Sequence, residues 1–515
     1  MALEDIKSPL PPRRFSSLYE AETEGEDKTQ NSNIKIQNEE DVKTEPVVPL
    51  NAPLISGKVP NKVEPKNYLV YGGIALAVVA ILLLIFKVII PKIVGGAKVE
   101  EVTLTYWGLW EDRAVVSGII ADYETANPGV KINYVANQKV NYRTRLQSRL
   151  ESGSTDEGAP DIFRFHESWV PMMRDNLAKV PADVATTIGL DTDYFDAYKS
   201  DIKEGASYLG VPLMYDSLAL FYNKDLIESG GVTLPKSWWD LEVAANKLTV
   251  RDSTGKITVA GTAMGLVANV DHWSDIVGLM LKQGGVDILA TDADSVKKLK
   301  DVLTYYTQFR TKNNVWDETL PASTELFANG KLAFYFAPSW RAFNIEDMKV
   351  PELKYGITTV PQLPTLKDVP ADQLNNEANL TNIHWSTYWV EGVNKKSSKQ
   401  KAAWKFLQYL STKESLEKMY TAAAQTRNFG EIYPRKSMAS KMSENPNLAP
   451  FVKVANDSEG GYLSSRTFDE GLNDEMSKYF ADAINGMIIQ NKTPDEVMPN
   501  LREGINQMAT KYSLK

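Results

Sequence analysis

Hydrophobic and polar positions divide the chain into three stretches. In residues 1 to about 66, the run Glu20–Asp27 is acidic and nearly free of large apolar groups. The run Glu45–Pro65 holds Pro46, Pro49, Pro53, Pro60 and Pro65. Such a stretch cannot bury enough surface to offset its ordering entropy, so it reads as a disordered, solvated tail. An apolar run follows, Tyr68–Ile90, with no charge between Tyr68 and Phe86. At about 1.5 Å per residue, a helix of this length crosses the roughly 30 Å hydrocarbon core of a bilayer. Lys87 sits where its stem reaches the headgroups, and Tyr68 and Tyr71 suit the interface. A signal peptide would have a shorter apolar core nearer the start. The expected organisation is a tail (1–66), a transmembrane helix with its exit (67–94) and a folded part (99–515).

In the third stretch the pattern alternates between two periods. EVTLTYW is β-rich. Ala114–Ala126 carries Ile119, Ile120 and Tyr123 on one helical face. Asn127, Pro128 and Gly129 break it, and VKINYVA forms the next strand. A second helix spans Tyr142–Glu151, and Ala159-Pro160-Asp161 leads into IFRF. This βαβαβ rhythm predicts an α/β fold with a mainly parallel sheet and helices on both faces. In open sheets of that kind, ligands bind beyond the carboxyl ends of the strands.

Composition narrows the function. With 43% hydrophobic and 24% charged residues, the folded part can build ordinary cores. A net charge of −9 argues against nucleic acid as a partner, because phosphate binding wants a basic face. The chain has no cysteine, which removes disulfides, zinc–thiolate sites, thiol nucleophiles and lipid attachment through an N-terminal cysteine. No G-x-S-x-G, H-E-x-x-H, Walker or dinucleotide fingerprint is present, so no enzyme activity and no cofactor are expected. Glu111 with Glu167 could serve a glycosidase, but acid pairs are common in a chain this charged. The three histidines, His166, His272 and His384, form no local ligand motif, and no metal site is expected.

Five segments, in order, resemble the large maltose-binding-like extracellular solute-binding proteins of ABC importers. They are residues 210–241 (GVPLMYDSLALFYNKDLIESGGVTLPKSWWDL), 325–340 (ELFANGKLAFYFAPSW), 355–364 (YGITTVPQLP), the helical SSKQKAAWKFLQYLSTKESLEKM and the ending INGMIIQNKTPDEVMPNLREGINQM. The resemblance covers about Val102–Lys515. It implies a two-lobed fold of the periplasmic-binding type, with discontinuous lobes joined by hinge strands. Lobe one is expected at about 99–212 and 361–415, lobe two at about 213–360 and 416–515. It further implies a receptor that binds a sugar or similar polar solute between the lobes and delivers it to an ABC transporter permease. The positive charges flanking the apolar run are nearly balanced, Lys58, Lys62 and Lys66 against Lys87, Lys92 and Lys98. The resemblance therefore decides the orientation: N-terminus cytoplasmic, binding domain extracytoplasmic, lipid bilayer contacted through Tyr68–Ile90. The alternative is a surface sensor or adhesion module that reuses the fold.

A sugar needs aromatic faces for its C–H patches and planar polar groups for its hydroxyls. The candidates stand mostly where strands end. Trp107, Trp110 and Glu111 follow the first strand. Arg164, His166 and Glu167 belong to the third. Tyr215 and Asp216 lie at the first crossover, Asp271 and Trp273 before an apolar helix, Trp340 after LAFYFAPSW, and Trp385 and Tyr388 near the return crossover. The resemblance implies ligand contacts for Glu167, Asp216 and Trp340, and an aromatic at the position of Trp273. The sequence departs from the maltose-binding pattern at Arg164, where an aromatic is expected, and near Arg466 and Phe468. Trp238, Trp239 and Trp404 read as packing residues.

Overall fold

The computed structural model describes residues 101–152, 158–365, 377–427 and 429–514. The tail of residues 1–66 and the apolar run Tyr68–Ile90 lie outside the described residues. Among the described residues no helix is long and apolar enough to cross a membrane.

The strands, in chain order, are β1 (Val102–Leu109), β2 (Val130–Asn137), β3 (Ile162–His166), β4 (Val211–Pro212), β5 (Ala219–Asn223), β6 (Val250–Arg251), β7 (Ile257–Thr262), β8 (Leu332–Ala337), β9 (Tyr355–Thr358), β10 (His384–Trp385), β11 (Trp389–Val393) and β12 (Ser458–Glu459). β10 pairs separately with β12, and the other ten form two five-stranded sheets. One has the order β2-β1-β3-β11-β4, the other β9-β5-β8-β7-β6. Each sheet centres one lobe.

The parallel rhythm expected from the sequence holds for β1 with β2 and β3. It fails for the rest of that sheet, where β11 runs antiparallel to β3 and to β4. In the second sheet β5 runs antiparallel to β8 and β9, and only β7 and β8 are parallel. A strand that re-enters a sheet from the other lobe is not bound by a right-handed βαβ crossover, so it is free to run the opposite way.

Local sequence explains the helices around the sheets. Helix Arg113–Ala126 buries Val116, Ile119, Ile120 and Tyr123, and the Asp112 side chain caps it by accepting from the Ala114 amide. Ser237 and Asp240 form a reciprocal capping box that starts helix Trp238–Leu248. Trp238 is buried there, with its indole N–H on Gln283, whereas Trp239 is 58% exposed.

Helices Gln400–Leu410 and Lys413–Ala423 both pack on helix Arg113–Ala126, and Lys418 pairs with Asp122 at 2.6 Å. The boundary expected at residue 415 therefore falls inside a helix whose buried Leu416 continues the first lobe's layer. Helices Leu472–Ile489 and Pro494–Tyr512 pack together and against helix Ala293–Thr311 on the second sheet's side.

The lobes are joined by chain passes that hydrogen-bond to one another. The Leu218 amide donates to the Trp385 carbonyl at 2.8 Å, and the Thr387 amide to the Asp216 carbonyl at 3.0 Å. Tyr215 bridges to Ile432, and β10 pairs with β12. Gly210 opens the first pass. A Cβ there would stand 2.6 Å from Val390 and 2.8 Å from the Glu391 carbonyl, so only glycine lets the strands approach this closely.

Candidate functional site

Two groups of candidate residues gather between the lobes. The first is centred on two half-buried tryptophans, Trp110 beyond β1 and Trp340 beyond β8. Trp110 has a left-handed backbone (φ 53°), a conformation that costs about 1–2 kcal/mol for an L-residue and needs tertiary support. Support comes from several sides. The Trp389 ring meets it edge-on at 4.9 Å, and the Arg164 guanidinium lies over its face at 5.2 Å. Its indole N–H donates to Glu111 Oε1 at 3.2 Å.

Arg164 is itself held from below. Its Nε and Nη2 donate to Glu391 Oε1 at 2.9 and 2.6 Å, in a pair almost sealed from solvent. Tyr106 donates to the same oxygen at 2.8 Å. This fixed cation is why β3 carries an arginine where the resemblance would place an aromatic: it supports Trp110 from within the sheet.

A closed path of contacts joins the two tryptophans. Glu111 pairs with Arg427 at 3.1 Å, and the Arg427 guanidinium lies 5.3 Å over Phe343. Phe343 belongs to helix Arg341–Met348, which begins directly after Trp340. Arg341 stacks on Trp340 at 4.5 Å, and His272 meets the same indole edge-on at 5.9 Å. Arg341 also stands 3.7 Å from Asp271, which accepts from Arg466 at 2.8 Å. Phe468, two residues on, shares the Lys139 ammonium with Trp110, at 5.3 and 5.7 Å. The path thus returns to its start. Arg466, Phe468 and Glu470 all have positive φ, so this stretch is strained where it crosses between the lobes.

Charges in this group are paired. Burial would raise the Asp271 carboxyl, but Arg341 and Arg466 outweigh it and hold the group well below the usual carboxylate range. Burial and the neighbouring Glu431 raise the Glu111 carboxyl, while Arg427 opposes them. Asp216 lies at the hinge beside the path. It accepts from the Ser217 amide at 2.8 Å and, across the lobes, from the Ser339 amide at 3.0 Å and hydroxyl at 2.8 Å. Burial nevertheless pushes its carboxyl up to about 7.

The second group lines an inter-lobe cleft of about 770 Å³, bounded by residues 167–174 and 200–209 on one side and 278–289 on the other, with 459–463 between. Glu167 and Trp385 belong here, and no residue of the tryptophan path lines it. Glu167 is 3% exposed, and its carboxylate accepts a long 3.5 Å hydrogen bond from the Ser464 hydroxyl. Gly460 is needed beside it: a Cβ there would lie 2.9 Å from the carboxylate. Trp385 donates to Asp275 at 3.0 Å. Ser464 and Ser465 stand between the two groups, the first on Glu167 and the second on Asp275 through both its amide and its hydroxyl.

The other candidates are structural in their contacts. Trp107 is buried under Tyr142 and Arg145. Tyr215 donates to Ser458 at 2.7 Å, and Tyr388 to Asp201 at 3.0 Å, both within the hinge. Trp273 starts its helix inside the core. His166 binds Ser168 at 2.7 Å and Thr387 at 3.1 Å, and burial lowers its pKa to about 3, so it is neutral. His272 binds Asp275 and Ser465, and burial lowers it too; burial takes His384 down to about 4. Among the described residues no group of three His, Asp or Glu side chains could hold a metal ion.

Sequence reasoning missed Arg427, Phe343, Trp389, Glu391, Asp201, Asp275 and Ser339. None lies in a local motif. Arg466 and Phe468 stood out only as departures from a family pattern.

The family described as "bacterial extracellular solute-binding protein" matches residues 118–450. The maltodextrin-binding protein MdxE of Bacillus subtilis is 29% identical over 172 residues, 30% of this chain and 37% of that protein. The maltooligosaccharide ABC transporter solute-binding lipoprotein of Streptococcus pneumoniae is 24% identical over 298 residues, 55% of this chain and 64% of that protein. The chain thus spans less than two thirds of the length of either relative. Among solved structures, the sugar-binding protein MalE from Xanthomonas citri superposes with a TM-score of 0.63 at 18% identity, covering 80% of this chain and 98% of that one. A cyclo/maltodextrin-binding protein complexed with maltotetraose gives 0.60 at 14% identity, covering 79% and 97%. At these identities the likeness establishes the two-lobed fold.

Proposed function

The chain belongs to the bacterial extracellular solute-binding proteins, and on that premise we propose that it is an extracytoplasmic saccharide receptor, not an enzyme, serving an ABC transporter permease. The observation that carries the reading is the closed path between Trp110 and Trp340. It links one half-buried aromatic from each lobe through a ring of contacts, with Glu111, Asp271 and Arg466 fixed in that ring by ion pairs. Aromatic faces with a few preset polar groups are the recipe for a polyhydroxylated ligand. Because the two platforms sit on different lobes, a solute between them favours closure through its differential contacts. The relatives named for maltodextrin and maltooligosaccharide point to α-glucans as the first solutes to try.

The apolar run Tyr68–Ile90 is read as the tether, with the N-terminus cytoplasmic. It would hold the receptor at high effective concentration beside a permease in the same membrane.

The test is thermal unfolding of the full chain against a panel of neutral saccharides from maltose to maltoheptaose. A solute at about 100 times its Kd adds roughly 2.7 kcal/mol, a shift of a few degrees. A shift abolished by Trp340→Ala supports the reading. A well-folded sample that responds to no saccharide refutes it.

A further inference from the structure

The 770 Å³ cleft behind Ser464 and Ser465 has a different chemistry from the tryptophan path. Two of its walls present carboxyl groups, the buried Glu167 and the half-buried Asp201. Asp201 accepts from Ser386 and Tyr388 hydroxyls and from the Gly460 amide, at 3.0 to 3.1 Å. Every one of these donors is neutral. Among the described residues, the Glu167 carboxyl has Ser464 and the His166 ring, 3.6 Å away and itself uncharged, as its polar partners. Among the described residues neither carboxyl has a lysine or arginine within ion-pair distance. Among those residues three cations line the cleft: Lys282 pairs with Glu459 at 3.0 Å, Lys203 pairs with Asp191 at 2.7 Å, and Arg174 stands beside Val170 and Pro171 without reaching either carboxyl.

Buried charge is ordinarily paired, since an isolated carboxylate in a low-dielectric interior is costly. Burial, and then the neighbouring Asp201, push the Glu167 carboxyl up, as that cost requires. The same cleft has apolar walls from Leu281 and Ile288, with the buried Trp385 indole packed behind them against Gly278 and Gly461, and its volume is that of a small-molecule site.

We propose that this cleft is a second ligand site, separate from the saccharide site, and that it takes a small organic ammonium ion: the cation pairs with Glu167 and Asp201, and its carbon chain lies against Leu281 and Ile288. Both lobes line the cleft, so its occupant also bears on lobe closure. Binding at the two sites is then linked, each ligand changing the other's affinity by the same factor.

The test is isothermal titration of the full chain with 1,5-diaminopentane and with the uncharged 1,5-pentanediol. The diamine is expected to bind and the diol not to. Glu167→Gln should weaken the diamine by about tenfold or more, the order of one charged hydrogen bond, and leave saccharide affinity unchanged. Ile288→Trp is the second variant. It fills the cleft from a half-buried loop position, leaves both carboxyls in place and should also block the diamine. Equal binding of diol and diamine, diamine binding indifferent to both variants, or diamine binding lost with Trp340→Ala would each overturn the proposal. A chain that binds the diamine but no saccharide overturns only the saccharide reading.

Discussion

The two inter-lobe regions solve the problem of buried charge in opposite ways. Around Trp110 and Trp340, charges come with partners: Arg164 with Glu391, Glu111 with Arg427, and Asp271 with Arg466 and Arg341. In the cleft on the other side of Ser464, Glu167 and Asp201 meet only neutral donors. Paired charges present fixed dipoles and little net field, which suits a neutral solute with many hydroxyls. Carboxyls without a resident cation are held towards their neutral form by burial and are free to ionise against an incoming cation, which suits a cationic ligand. Similar side-chain types in one interface therefore set up two selectivities, and pairing is what separates them.

The comparison breaks most sharply at Arg164. Arg164→Ala leaves Glu391, 1% exposed, as an unpaired buried charge and removes the platform under Trp110. The expected loss is about 3–5 kcal/mol in chemical denaturation. A loss below about 1 kcal/mol would mean that this pair is not what organises the first region.

Trp340→Ala comes next. It should cost about 2–4 kcal/mol of saccharide binding by titration and leave the diamine titration unchanged.

The hinge between the regions gives a pH test. Burial raises the folded-state pKa of Asp216 from its ordinary 3.8 to about 7. A raised carboxyl stabilises the fold fully below the unfolded value, and that contribution is lost as pH rises through about 4 to 7. Asp216→Asn should therefore flatten the fall in stability over that window. An unchanged pH slope would show that the Ser217 and Ser339 donors keep the group ionised.

The smallest effect is expected at a helix start that lines neither region. Ser237→Ala removes the reciprocal cap of helix Trp238–Leu248 and should cost about 1 kcal/mol of stability with no change in either titration. A change in binding would extend the coupled region well beyond the contacts described.

The legible parts of this protein are those that local pattern controls. The period of apolar residues marked helix Arg113–Ala126 and strands β1 to β3, and the strand ends drew attention to Trp110, Glu111, Asp271 and Trp340. Turn and cap residues act on their immediate neighbours, so they can be read one segment at a time. Strand direction beyond β3 was not legible, because β11 arrives from the other lobe and no crossover rule fixes its sense.

What the sequence determined by itself is the class of fold, the lack of thiol chemistry, and the supply of tryptophans and acids at strand ends. What only the tertiary structure decided is which of them share a place. Glu167 and Trp340 look alike in the sequence as candidates for one pocket, yet they lie on opposite sides of Ser464 and Ser465. Arg427, Arg466 and Glu391 become part of the first region through contacts across hundreds of residues, and Asp201 joins the second through the hinge strands. Burial and ion pairing are properties of three-dimensional neighbours, and those two properties set whether a carboxyl anchors a scaffold or awaits a cation.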